Sequence, residues 1–154
     1  KETKQLENTR RFIQTYKNDM IGQEVQYSWD KDEKKWYKNY EQNYFYNKNK
    51  KLIRQQAFFN DSSGVQFTYK FDKNGNNVEI LTENLNTKTK LWKLHEKIEY
   101  LYDLSITKDK VIDRGNINDE KEDSANPILE KRYYLYDGKK WILAEKTKYL
   151  YDKK

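Results

Sequence analysis

An all-β fold is predicted for this chain: an antiparallel meander of long hairpins forming one broad twisted or curled sheet, with repeat-like units. Three observations predict it. A tryptophan–tyrosine pattern is written three times, aromatic residues alternate with polar ones, and turn-forming residues follow each aromatic unit. Trp36 is followed eight residues on by Tyr44-Phe45-Tyr46-Asn47, Trp92 by Tyr100-Leu101-Tyr102-Asp103, and Trp141 by Tyr149-Leu150-Tyr151-Asp152. A shorter unit, two aromatics one residue apart and then Asp or Asn, also occurs at Tyr27-Ser28-Trp29-Asp30, Tyr69-Lys70-Phe71-Asp72 and Tyr134-Leu135-Tyr136-Asp137. Asp72-Lys73-Asn74-Gly75-Asn76 and Asp137-Gly138-Lys139-Lys140 show why each unit reads as a strand end running into a hairpin turn.

The period separates strand from helix. Every second residue from Trp36 is Trp36, Lys38, Tyr40, Gln42, Tyr44, Tyr46, and the set from Trp92 is Trp92, Leu94, Glu96, Ile98, Tyr100, Tyr102. The third set is Trp141, Leu143, Glu145, Thr147, Tyr149, Tyr151, and the alternate positions are mostly Lys, Glu and Asn. This predicts one aromatic face and one wet face. A helix would carry the two tyrosines of each Tyr-x-Tyr about 200° apart.

Taken in order, 1–9 reads as a mobile N-terminus and 10–154 as a single β-repeat domain. The segment 10–17 is open to either strand or helix, with strand favoured and residues 18–22 as its turn. Strands are then expected at 24–29, 35–46, 51–59, 65–71, 77–82, 91–102, 127–136 and 140–151. Between the last three, Lys110-Val111-Ile112-Asp113 reads as a short strand and 114–126 as a polar loop stopped by Pro127.

Composition narrows the function. Hydrophobic residues make up 35% and charged residues 36%, a disordered balance except that 16% are aromatic, so tyrosine and tryptophan must supply the core. Lys+Arg is 31 against Asp+Glu 25, a net charge of +6 diluted by acids nearly everywhere. Nucleic-acid proteins concentrate basic charge on one face, so this pattern argues against nucleic acid despite the basic run Asn47–Arg54. The absence of cysteine excludes disulfides, cysteine–zinc sites and thiol catalysis. No apolar run reaches the ~20 residues that span a membrane. A chain beginning at Lys1 reads as a mature or trimmed form.

The Trp–Tyr-x-Tyr-Asp units, with Tyr69-Lys70-Phe71-Asp72-Lys73-Asn74-Gly75-Asn76 between them, resemble tyrosine–aspartate-type repeats. Such repeats are common in secreted and surface proteins of Bacteroides-like bacteria. The chain also resembles the family catalogued as domain of unknown function 3836. The resemblance spans most of 24–152 and implies an exported, bacterial, periplasmic or surface protein; it carries no activity across. Only one unit has the full Asp-x-x-Gly turn, and the copies are too few to close a shell.

No catalytic residue, metal site or cofactor is expected. The one histidine, His95, falls on the polar side of its strand. Glu96 and Glu145 occupy equivalent repeat positions, with Gln42 as the third, and would suit glycoside hydrolysis only if the aromatic face were open. Asp72, Asn74, Asn76 and Glu83 match positions of a calcium loop, but the required glycine is displaced and Asn74-Gly75 is a hairpin turn sequence. Asp123-Ser124-Ala125 resembles an O-glycosylation triplet. Candidate binding residues are the rings Trp36, Tyr46, Trp92, Tyr102, Trp141 and Tyr151. The expectation is a non-enzymatic exported binding or scaffold module for an unknown protein or glycan; the alternative is a carbohydrate-binding or glycan-active protein using the aromatic face.

Overall fold

The computed structural model describes residues 10–112 and 124–153. The strands are β1 (Arg10–Lys17), β2 (Met20–Asp30), β3 (Lys35–Tyr46), β4 (Leu52–Phe59), β5 (Gly64–Phe71), β6 (Asn77–Leu85), β7 (Trp92–Tyr102), β8 (Val111–Ile112), β9 (Ile128–Tyr136), β10 (Trp141–Lys148) and β11 (Asp152–Lys153). Nine of them form one sheet hydrogen-bonded in the order β1-β2-β3-β4-β5-β6-β7-β9-β10, while β11 pairs with β8. The all-β antiparallel meander predicted from the sequence is therefore found, and 10–17 is a strand. The expected mobile segment 1–9 and most of the expected loop lie outside the described residues.

The turns explain why strands stop where they do. Asp or Asn at the head of a turn accepts hydrogen bonds from backbone N–H groups two to four residues on, the local side-chain bonding that favours these residues in turns. Asp30 Oδ1 accepts from Asp32 N at 2.9 Å and Glu33 N at 3.0 Å, and Asn47 Oδ1 from Asn49 N at 2.9 Å and Lys51 N at 3.1 Å. Asp72 Oδ1 accepts from Asn74 N and Asn76 N, both at 2.9 Å, and Asp137 Oδ1 from Lys139 N and Lys140 N, both at 2.8 Å. Asn86 and Asp103 act alike on Lys88 and Ser105. The β1–β2 turn works differently: Asn18 and Asp19 both take left-handed φ, 51° and 63°. That is the two-residue turn whose twist matches a hairpin, so β2 begins at Met20, earlier than expected. At Asn74-Gly75 only Gly75 has positive φ, 87°, and its N–H bonds back to Asp72 O, so this turn is a three-residue type rather than the two-residue one.

The chain divides into two compact units, one of Lys1–Gln66 with Asn84–Leu91 and the other of Phe67–Glu83 with Trp92–Lys154. In the first, Tyr27 pairs with Lys38 but Gln26 pairs with Tyr40, leaving Asn39 as an unpaired bulge residue. Directly opposed residues share a face, so Trp36 and Lys38 lie with Tyr27 and Trp29, and Tyr40 and Gln42 lie on the other face with Gln26 and Glu24. In the second, Leu143 pairs with Tyr134 but Glu145 pairs with Tyr133, so Ala144 is the bulge and Trp141 and Glu145 are on opposite faces. Each bulge stands three residues after its tryptophan. The expectation of one continuous aromatic face is thereby corrected. The last strand is corrected too: β10 ends at Lys148, and Tyr149 and Tyr151 lie beyond it.

Buried apolar side chains among the described residues are few: Val25 and Ala57 in the first unit, Tyr100, Pro127 and Ile128 in the second. Rows of paired polar and aromatic groups supply the rest. Gln23 Nε2 donates to Glu41 Oε1 at 3.2 Å and Asn43 Oδ1 at 3.1 Å; Gln56 donates to the buried Gln66 at 2.6 Å. The second unit holds a closed amide cluster around Asn76, which is 0% exposed. Its Nδ2 donates to Asp72 Oδ2 at 2.9 Å and Asn126 Oδ1 at 3.0 Å, while its Oδ1 accepts from Ala125 N at 2.8 Å and Asn126 N at 3.2 Å. Asn126 Nδ2 donates to Ile106 O at 2.7 Å, so the cluster ties the chain after β7 back to the β5–β6 turn.

Candidate functional site

The candidate site is a cleft in the first unit where two neighbouring strands part. The β2–β3 ladder ends at Gln23↔Asn43, although β2 extends back to Met20 and β3 on to Tyr46. Met20 and Ile21 instead continue pairing with β1, where the register shifts at Gly22, and Tyr44, Phe45 and Tyr46 continue with β4. Between these diverging segments lies a cavity of about 380 Å³ lined by Lys17, Asn18, Met20, Gly22 and the run Tyr44–Lys48. That volume is within the range of small-ligand pockets. Gly22 contributes no side chain to the lining. Burial, and then the neighbouring Tyr44, push the Tyr46 phenol above the ordinary tyrosine range. Arg54 places its guanidinium 4.1 Å from the Phe45 ring centroid. Two lysines line the cleft, and no carboxylate does.

Of the six candidate rings, Tyr46 alone lines this cleft. Trp36 sits at the other end of β3, edge-on to Trp29 with ring centroids 5.4 Å apart. Trp141 packs on Tyr136 at 5.0 Å and lies 5.4 Å from the Lys97 ammonium, which is also 4.5 Å from the Tyr134 ring. Tyr102 stacks obliquely on Tyr100 at 6.4 Å and donates its hydroxyl to Asn77 O at 2.7 Å. Trp36, Trp92, Trp141 and Tyr151 are all half-buried, neither sealed in a core nor laid open along a groove. Trp36 and Trp141 each pack beside a hairpin turn, Trp36 on Trp29 and Trp141 on Tyr136.

Glu96 pairs with Leu135 and Glu145 with Tyr133, positions that share a face of β9, but Trp141 is on the opposite face. Glu96 lies 3.2 Å from His95 Nε2, and Glu145 accepts from the Thr147 hydroxyl at 3.1 Å. Of the calcium-loop residues, Asp72, Asn74 and Asn76 belong to the β5–β6 turn and the Asn76 cluster, as the hairpin interpretation requires, and Glu83 lies on β6. Among the described residues no cluster of three or more His, Cys, Asp or Glu side chains is placed to hold a metal. Ser124 Oγ is shielded from solvent, so the glycosylation triplet does not offer its acceptor oxygen. No helix among the described residues is long and apolar enough to cross a membrane.

Sequence reasoning missed Lys17, Gly22 and Lys48 as site residues. The basic run Asn47–Arg54 was visible, but the parting of β2 from β3 depends on where each strand changes partner, which no local pattern encodes.

These features define a class: an open antiparallel meander with Asx-headed turns and a polar–aromatic cleft. No known protein family and no curated protein matches the sequence. A crystal structure of a protein of unknown function from Bacteroides fragilis is similar in fold, with TM-score 0.52 and 13% identity over 91% of this chain and 93% of that one. Two further structures are described as DUF3836 family proteins. That from Bacteroides vulgatus has TM-score 0.35 and 13% identity over 89% of this chain and 92% of that one. That from Parabacteroides distasonis has TM-score 0.31 and 13% identity over 83% of this chain and 74% of that one.

Proposed function

We propose that the protein is a non-enzymatic binding module of the DUF3836 kind, exported from its bacterial cell, whose ligand site is the cleft between the diverging ends of β2 and β3. The observation that carries this is the cleft itself, a ligand-sized recess where a ladder that has room to continue stops. The separation of Trp141 from Glu145 by the Ala144 bulge, and the surface position of His95, support a role without catalysis. The repeat likeness to tyrosine–aspartate proteins is supported by the turn residues: Asp30, Asn47, Asp72, Asp103 and Asp137, all from aromatic units, accept backbone N–H groups in the same way. Export rests on that likeness.

Amide chemical-shift mapping tests the site. A panel of neutral and acidic oligosaccharides and extended peptides is titrated into the labelled protein. Binding is expected to move the amides of Gly22 and of Tyr44 to Asn47 first. A panel that leaves these amides unmoved, or that clusters its shifts around Trp36 or Trp141, rejects the cleft as the site.

A further inference from the structure

We infer that the cleft is selective for a carboxylate-bearing sugar, with Lys17 and Lys48 taking the carboxylate and the Tyr44–Tyr46 segment taking the sugar ring. This rests on the cleft being the ligand site and adds what enters it.

Charge comes first. The lining has two ammonium groups and no acid. Neither Lys17 nor Lys48 has a carboxylate partner among the described residues, so both ammonium groups are available to a ligand. Lys50 belongs to the same turn as Lys48, and Arg54 stands over Phe45 at 4.1 Å. The recess thus presents two ammonium groups with no acid in its lining. An anionic group is what completes it.

Shape and polarity narrow the anion. The cavity, about 380 Å³, suits a mono- or disaccharide better than a bare inorganic ion. Its wall combines Tyr44, Phe45, Tyr46 and Met20, apolar surface for the C–H face of a pyranose, with the polar side chains of Asn18 and Asn47. Strand ends that face each other without a shared ladder offer both donors and acceptors. Sugar hydroxyls answer both kinds, and a uronate adds the carboxylate for the lysines. Asn47 Oδ1 is already engaged by Asn49 N and Lys51 N, so Asn47 meets the ligand through its amide nitrogen.

Gly22 supplies a way to close the site without breaking the fold. A Cβ there would lie 3.6 Å from Thr15 O and 3.8 Å from Lys17 Cβ, ordinary contact distances. Its φ is not in the left-handed region, so Gly22→Val suits the strand while adding bulk to the cleft wall.

The test is calorimetric titration of the whole chain with tetramers of galacturonate and of mannuronate, each against its own methyl ester, in which the charge is masked and the ring kept. At least one acid tetramer is expected to bind, with its ester about tenfold weaker, the size of effect two part-exposed ion pairs give. The Lys17→Gln/Lys48→Gln double variant is expected to lose that preference, and Gly22→Val to lose binding, both with an unchanged melting temperature. Equal binding of acid and ester would overturn the charge inference and leave the cleft as a site. Binding of neither, with the Gly22 amide unmoved by the wider panel, would overturn both. Tighter binding of oligothymidylate in the same cleft would overturn the sugar in favour of nucleic acid.

Discussion

Asn76 shows how much of this fold rests on single polar side chains. It is fully buried, and both ends of its amide are used. Asn76→Ala would strand a buried acceptor on Asn126 and two backbone donors, each loss costing about 1–3 kcal/mol. We expect a total of roughly 3–5 kcal/mol in urea unfolding, with amide exchange of Ala125 and Asn126 accelerated first. The turn aspartates divide into two kinds. Asp137 accepts only backbone N–H groups, work that Asn47 does equally well, so Asp137→Asn should leave the melting temperature at pH 7 nearly unchanged. Asp72 also accepts from the Asn76 amide through its second oxygen, and Asp72→Asn would set two donors against each other there. It should cost about 1–3 kcal/mol.

Acid sensitivity follows from the same oxygens. For Asp72, burial raises the carboxyl pKa, and the hydrogen bonds from the Asn76 side chain and from backbone outweigh it, leaving the pKa below the ordinary value. Backbone donors from Lys140 and Lys139 lower that of Asp137. A carboxylate with a depressed folded pKa stabilises the fold fully above its unfolded pKa, about 3.9, and loses that contribution as pH falls through the folded value. The melting temperature should therefore fall below about pH 4, and Asp137→Asn should remove part of that slope. A slope identical in variant and parent would exclude Asp137 as a contributor.

At the scale of elements, the hairpin starts are held by ring pairs, Trp29 with Trp36 and Tyr136 with Trp141. A double-mutant cycle on Trp29→Ala and Trp36→Ala should give a coupling of about 0.5–1.5 kcal/mol; a value near zero would mean the rings are neighbours without interaction. Strand positions were legible in the sequence because hairpin chemistry is local: alternation, then Asp or Asn, then a turn. The faces were not. Alternation counted from Trp36 assigns Tyr40 to the same side, and the Asn39 bulge reverses it. An extra residue in a ladder leaves no mark in the pattern of Lys, Asn and Tyr around it. The short strand read at Lys110-Val111-Ile112-Asp113 is β8, but its pairing with the two-residue β11 was invisible, since so short a partner shows no period.

At the scale of the whole molecule, short connections leave each strand from β1 to β7 beside its predecessor, while β9 returns beside β7 after the long connection that carries β8. The strands at the two ends of the order, β1 and β10, carry Arg10, Arg11 and Lys17 and Lys146 and Lys148, charges that discourage pairing with another chain. The candidate site was legible only in its composition. Tyr46 and the basic run could be named, but the cleft exists because β2 and β3 part, and bulges decide where strands part. Both the separation of Trp36 from Tyr40 and the choice of the cleft depend on this register. Cross-strand backbone nuclear Overhauser effects between β2 and β3 test it most directly. The structure predicts cross-strand signals that match Glu24 with Gln42 and Val25 with Glu41, beyond a Tyr27–Lys38 pairing. Signals matching Gln23 with Gln42 and Val25 with Tyr40 would show an unbroken ladder, return Trp36 and Tyr40 to one face, and contradict the account.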